Sequence, residues 1–214
     1  VNLFHAGAVL SACERSSRWD TALSLLRSTP ELPPSVVCCN AAIGSCEKGS
    51  RWPSAFSLFG DMAALRVGPD IRSLNALLGG SCKWELAQAV FGLAPSIGAV
   101  HDTVVCNAAI NALEKGCQWR LAIALLGAMP LLRVLPDAIS FNAAGSAFKR
   151  AGPWQFALAL LHIMPQQRAA PDVVSGSVAV SACDMGGQWQ LALAGLASMA
   201  RLRAPPNAVT CNAA

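Results

Sequence analysis

Five asparagines recur in closely matching settings: Asn40 in VVCCNAAI, Asn75 in SLNALL, Asn107 in TVVCNAAI, Asn142 in SFNAAG and Asn212 in VTCNAA. Ser177 takes the same place in a further copy. An acid or its amide follows each of the complete copies, at Asp70, Asp102, Asp137, Asp172 and Asn207. A carboxamide offers an acceptor and two N–H donors side by side, so a row of them can recognise planar polar edges through paired hydrogen bonds. Asparagine is also about half a kcal/mol less favourable than alanine inside a helix. Its return among Ala and Ile therefore needs a cause beyond helix formation. The aspartates have two compatible readings, as acceptors beside the amides or as N-caps of the helices they precede.

Other chemistry has little support. The three histidines, His5, His101 and His162, are far apart and occupy unrelated places. The nine cysteines form no CxxC pair, so neither a metal site nor a disulfide framework is expected. Cys13, Cys46 and Cys183 recur at one place, and Cys39, Cys106 and Cys211 recur just before an Asn. Both sets read as small buried hydrophobes in a reducing compartment. With no nucleophile–base pair and no phosphate loop, no catalytic residue, metal ligand or cofactor is assigned, and enzymatic activity is not expected.

These residues are placed by a repeat. The six tryptophans, Trp19, Trp52, Trp84, Trp119, Trp154 and Trp189, follow one another at intervals of 32 to 35 residues, one to each copy. Such a period marks stacked supersecondary units. The complete repeats run 36–70, 71–102, 103–137, 138–172 and 173–207, with partial ones at 1–35 and 208–214. The chain opens without Met and stops at CNAA, so a piece of a longer array is expected. In each repeat a first helix is predicted from Thr103 or its equivalent to about Lys115, with Gly116 as a left-handed stop. A second begins near Trp119, with Trp119, Ala122, Leu125, Leu126 and Met129 at helical spacing, and ends at Pro130, Pro165 or Pro30. Pro53 and Pro153 fall where a first turn tolerates proline. The shorter 71–102 repeat is missing three residues between Ser81 and Trp84, in the turn, where deletions are tolerated. One hairpin cannot bury its own apolar face, so neighbours must supply the core. The fold class expected is an all-α solenoid forming a single array over 1–214.

Composition agrees with this. Hydrophobic residues make up 54% and charged residues 13%, which is too apolar for disorder. The longest uncharged apolar stretch, Leu121 to Leu132, is too short to span a bilayer and contains Gly127 and Pro130, so a soluble chain is expected. The formal charge of +4 permits a nucleic-acid partner without requiring one.

With a 35-residue period, VVxxNAAI opening the repeat, Lys before Gly at the end of the first helix and Pro-Asp at the close, the chain resembles the pentatricopeptide repeat family. The tetratricopeptide repeat, the nearest alternative, carries its Trp in the first helix, whereas Trp here opens the second. The resemblance implies a right-handed superhelix that binds single-stranded RNA along its first helices, one base per repeat. It implies base reading by Asn40 with Asp70, Asn75 with Asp102, Asn107 with Asp137, Asn142 with Asp172 and Ser177 with Asn207, and by Asn212. In the family Asn with Asp favours uracil and Ser with Asn favours adenine, which gives 5′-UUUUA-3′ for the five complete repeats. Gly7 and Ser35, in the partial first repeat, match no known pairing.

Val37, Val104, Ile139 and Val174, three residues before the reading position, correspond to the family's base-sandwiching residues; helix packing is the other reading. Arg72 breaks that series. Eight residues after the reading position stand Arg15, Lys48, Lys83, Lys115 and Arg150, a stripe suited to a phosphate chain and interrupted by Met185. The tryptophans, away from the reading face, are expected to fill space between repeats. The resemblance further implies no small-molecule substrate, a role in organelle RNA processing, stability, editing or translation, RNA-processing proteins as additional partners, and a mitochondrial or chloroplast location. A helical scaffold for proteins is the alternative.

Overall fold

An oxygen-bearing side chain stands ahead of a first helix wherever its cap is formed, and a tryptophan opens every second helix. In a computed structural model describing residues 3–28, 35–79, 84–93, 102–151 and 153–201, twelve α-helices alternate in this way: α1 (Leu3–Arg15), α2 (Trp19–Ser28), α3 (Val36–Lys48), α4 (Trp52–Ala64), α5 (Ile71–Leu78), α6 (Trp84–Leu93), α7 (Thr103–Lys115), α8 (Trp119–Ala128), α9 (Ala138–Ala151), α10 (Trp154–Ile163), α11 (Val173–Met185) and α12 (Trp189–Arg201). No strand occurs among the described residues. A short 3-10 turn, Met164–Gln167, continues α10. The chain divides into two compact bodies, Val1–Ala112 and Leu113–Ala214, and the division falls within α7.

Each body is built by the same stacking rule. In the first, α1 packs on α3 and α3 on α5, while α2 and α4 pack on the first helix of the following repeat. In the second, α9 packs on α11, α8 on α9 and α10 on α11. First helices therefore form one layer and second helices the other, as expected of a solenoid. The buried seam runs through Leu10, Ile43, Met62 and Leu74 in one body and Phe148, Met164 and Val180 in the other, all at 2% exposure or less. Burial of such a side chain contributes about 1.5–3 kcal/mol. Met62, Met129 and Met164, which close the second helices, are all fully buried.

The described part of α5 has 8 residues against 13 for α3. The deletion, at 81–84, lies largely outside the described residues. Elsewhere the turn between helices differs from expectation in one respect. The left-handed residue is not the glycine but the one after it, Ser50 at φ 55° and Cys117 at φ 56°, with Ser17 and Gly187 in the equivalent places. Gly49 itself has φ −79° and Gly186 φ −84°.

The reason for glycine is steric. A Cβ added at Gly49 would overlap Trp19 Cδ1, and one at Gly186 would overlap Trp154 Cδ1. Each tryptophan lies on the bare backbone at the first-helix end of the next repeat. The Arg51 guanidinium covers the other contact, 4.4 Å from the centre of the Trp19 ring. Trp119 has a different neighbour, Phe148 at 5.6 Å, with Phe156 at 5.8 Å; the residue at the glycine position there is Ala151.

Two alanine substitutions separate this steric role from helix propensity. Gly49→Ala should destabilise the chain by about 1–3 kcal/mol through overpacking. Gly60→Ala, within α4 and with nothing within 4 Å of its added carbon, should stabilise it by up to about 1 kcal/mol. Urea unfolding of the two variants beside the parent gives both signs.

Candidate nucleic-acid interface

The aspartates that close the repeats cap the helices that follow. Asp70 Oδ1 accepts from the Ser73 backbone N–H at 2.9 Å, and the Ser73 hydroxyl accepts from the Asp70 N–H at 3.1 Å. Asp172 and Ser175 form the same reciprocal box. Asp137 accepts from the Ser140 N–H at 2.9 Å, and Asp102 from the Val105 N–H at 2.7 Å. Such a cap contributes about 0.5–2 kcal/mol. The capping role is thus realised at all four aspartates.

Two of these carboxylates also hold asparagines. Asn40 Nδ2 donates to Asp70 Oδ1 at 3.0 Å, although 30 residues separate them. Asn142 Nδ2 donates to both Asp172 oxygens, at 3.1 and 3.2 Å. A carboxylate accepts only, so it selects the amide's nitrogen side and orients the group. The Asn40 carbonyl oxygen takes a further bond, from the Ser73 hydroxyl at 2.6 Å. The carbonyl oxygens of Asn75 and Asn142 are instead buried without a partner. Asn107 is the most enclosed of the set, at 8% exposure. Ser177 turns its hydroxyl back to the Val173 carbonyl in its own helix, at 2.7 Å.

One turn before the reading position the picture reverses. Val37, Val104, Ile139 and Val174 are 53% to 65% exposed. Four branched aliphatics left in solvent at one repeat position are not explained by packing between helices. In each body they stand open beside half-buried amides, a setting that suits the face and the edge of an unstacked base.

A model of the pentatricopeptide repeat matches residues 37–67. Among solved structures, the pentatricopeptide repeat protein PPR10 from maize superposes with a TM-score of 0.76 at 24% identity, over 99% of this chain and 31% of that one. Residues 37–67 carry the pentatricopeptide repeat motif, and the fold is that of pentatricopeptide repeat proteins. PPR10 in complex with an 18-nt psaJ RNA element gives a TM-score of 0.70 at 20% identity, over 100% of this chain and 41% of that one. The pentatricopeptide repeat domain of Arabidopsis thaliana protein-only RNase P 1, in complex with tRNA, gives 0.67 at 12% identity, over 85% and 96%. At such identities the likeness is one of fold, and the chain spans about a third of the length of PPR10. No curated protein matches the chain in sequence.

Three of the cations already have local roles. Arg15, Lys48 and Lys115 are the last residues of α1, α3 and α7, where the negative end of the helix favours a positive charge. Lys48 Nζ is also 3.1 Å from Glu14 Oε1 of the preceding repeat, with both side chains substantially exposed. Glu14 was not anticipated, although it stands at the place taken by Glu47 and Glu114 in later repeats. Ser73, Ser140 and Ser175 were likewise not assigned, although an Asp followed three residues later by Ser is a readable capping signal. Lys83, Asn207 and Asn212 lie outside the described residues, as does the side chain of Arg150. The cysteines at the recurring places behave as hydrophobes. Cys13, Cys39, Cys46, Cys106 and Cys183 are buried and free, and Cys117 is exposed. Burial raises the thiols of Cys39 and Cys106 to about 11, so both stay protonated. Among the described residues no group of three His, Cys, Asp or Glu could hold a metal ion, and no helix is long and apolar enough to cross a membrane.

Desolvation opposes ionisation of Asp70 and Asp172. The hydrogen bonds from the following serine and from the asparagine outweigh it, so both carboxyls titrate below the ordinary range. A lowered folded pKa stabilises the chain above the unfolded pKa, about 3.9, and the contribution is lost as pH falls through the folded value. The urea midpoint should therefore fall between about pH 6 and about pH 3. The paired variant Asp70→Asn with Asp172→Asn should show a smaller fall.

Proposed function

We propose that this pentatricopeptide repeat chain binds single-stranded RNA along its first-helix layer, one base per repeat. The carrying observation is the recurrent amide–carboxylate pair, Asn40 with Asp70 and Asn142 with Asp172, placed beside exposed aliphatic residues. A helix surface without a ligand has no need of exposed Val37, Val104, Ile139 and Val174 at one register. Base planes between such residues and base edges against the amides would use both features. PPR10 in complex with an 18-nt RNA element and the RNase P repeat domain in complex with tRNA support RNA as the partner class.

On this reading the five complete repeats prefer 5′-UUUUA-3′, with Ser177 and Asn207 taking the adenine. Arg15, Lys48, Lys83, Lys115 and Arg150 follow the phosphate chain, at a location in the mitochondrion or chloroplast. Binding serves RNA processing, stability, editing or translation, alongside RNA-processing proteins. The chain's own role is recognition rather than catalysis. A scaffold for proteins would require neither the amide–carboxylate pairs nor the cations.

Fluorescence anisotropy with labelled oligonucleotides tests the reading. The chain should bind a UUUUA-containing strand more tightly than one with cytosines in place of the uracils, and a duplex weakly. Equal affinity for the two single strands would leave only a basic surface, and no binding by a folded chain would favour the protein scaffold. Asp137→Asn should shift preference at its nucleotide from uracil towards cytosine. Lys115→Ala should weaken every single strand alike and reduce the dependence on salt. Glu14→Gln, by releasing Lys48, should strengthen binding and steepen that dependence.

A further inference from the structure

Three asparagines at the same repeat position differ in what holds their carbonyl oxygen. In the 36–70 repeat, Asn40 Oδ1 accepts from the Ser73 hydroxyl at 2.6 Å. That hydroxyl lies 3.0 Å from Asp70 Oδ1, and since it has a single proton the shorter contact takes it. The result is a closed ring. The Asp70 N–H donates to Ser73 Oγ, Ser73 Oγ–H to Asn40 Oδ1, and Asn40 Nδ2 to Asp70 Oδ1. In the 71–102 repeat the equivalent of Ser73 is Val105. It has no hydroxyl, and Asn75 Oδ1 is buried without a partner. In the 138–172 repeat, Ser175 directs its hydroxyl to the Asp172 carbonyl and carboxylate, at 3.0 and 2.8 Å. The Asn142 amide then spans both carboxylate oxygens, and its Oδ1 is also buried without a partner.

We infer that Ser73 is a latch on the base-reading Asn40, and that a hydroxyl on the third residue of a repeat, where it is directed at the asparagine of the preceding repeat, sets how readily that amide turns to a base. The inference rests on the base-reading proposal above. An unpartnered buried carbonyl is destabilised because it has lost water and gained nothing. Asn75 and Asn142 are in that state, so rotation of the amide towards a donor N–H on a ligand relieves it. Asn40 must first give up a short bond to Ser73. The two kinds of repeat therefore start from different levels when the same base arrives. The flip itself is not what Ser73 controls, since the Asp70 carboxylate already selects the nitrogen side. Ser73 holds the oxygen in place.

The chain supplies both states of the latch position, and the fold accepts either. Ser73 and Val105 are each fully buried, and both donate their backbone N–H to the capping aspartate, at 2.9 and 2.7 Å. Exchanging them gives a reciprocal test. Ser73→Val should raise the preference for UUUUA over CUUUA, the nucleotide facing the 36–70 repeat, by about 2- to 10-fold, the range of one hydrogen bond. Preference at the second nucleotide, UUUUA over UCUUA, should not change. Val105→Ser should lower that second preference and leave the first alone. Ser73→Thr, which keeps the hydroxyl, should behave as the parent. Ser73→Ala, with no added bulk, should repeat the Val result if the larger side chain lowers stability in urea unfolding. A cap lost for structural reasons alone would weaken both strands equally and leave the ratios unchanged, which overturns the latch. If the parent shows no preference at either nucleotide, neither UUUUA over CUUUA nor UUUUA over UCUUA, the base-reading proposal fails and the latch with it. A parent that discriminates, with unchanged ratios in Ser73→Val and Ser73→Ala, removes the latch alone.

Discussion

At two repeat junctions, those of Asp70 and Asp172, one carboxylate does two jobs that are separate in most helical proteins. Asp70 satisfies an N–H group at the start of α5 that would otherwise lack a partner, and it holds the amide of Asn40 from the helix before. The first job obliges an acid or hydroxyl to stand ahead of the helix. The second depends on two first helices lying side by side. Cap, junction and candidate reading site are therefore one hydrogen-bonded unit. A change at the aspartate is felt by helix start, repeat stacking and amide orientation together, and such a shared network is not a sum of independent pairs.

The opposite edge of the repeat is set by an aromatic ring on a bare backbone. Trp19 needs Gly49 and Trp154 needs Gly186 because a β-carbon would occupy the space of the indole. The left-handed turn that follows is taken by Ser50 or Cys117 instead, residues with no special ease in that region. Close approach therefore outranks dihedral preference in choosing where the glycine goes. Between these two edges the layer of first helices carries half-buried amides and an exposed aliphatic row, a combination that packing alone does not call for.

Much of this was legible from residue order. The limits of α7, Thr103 to Lys115, and the start of α8 at Trp119 followed from Asp102, Gly116 and the apolar period. The burial of Cys39, Cys46, Cys106 and Cys183 followed from their recurrence among small apolar residues. The role of glycine was misread because Trp19 and Gly49 belong to different repeats, and a local pattern reports only local geometry. Lys48 was read as one cation in a stripe, yet its partner Glu14 lies 34 positions away and acts through the stack. The oxygen side of Asn40 was only partly legible: Val105 has no hydroxyl to offer Asn75, but Ser73 and Ser175 are the same residue and direct theirs differently.

The amino-acid sequence by itself determined the period, the two helices in each repeat, the capping aspartates and the place of the recurring asparagines. These depend on spacing within one repeat, where an apolar face, a cap and a turn are all set by neighbours in the chain. Only the tertiary structure decided which amide oxygen accepts from a serine, which carbonyl is left without a partner and which lysine is paired with an acid. Those outcomes depend on how side chains from consecutive repeats divide a few donors and acceptors, and differences of tenths of an ångström at the junction decide which bond a single hydroxyl proton makes.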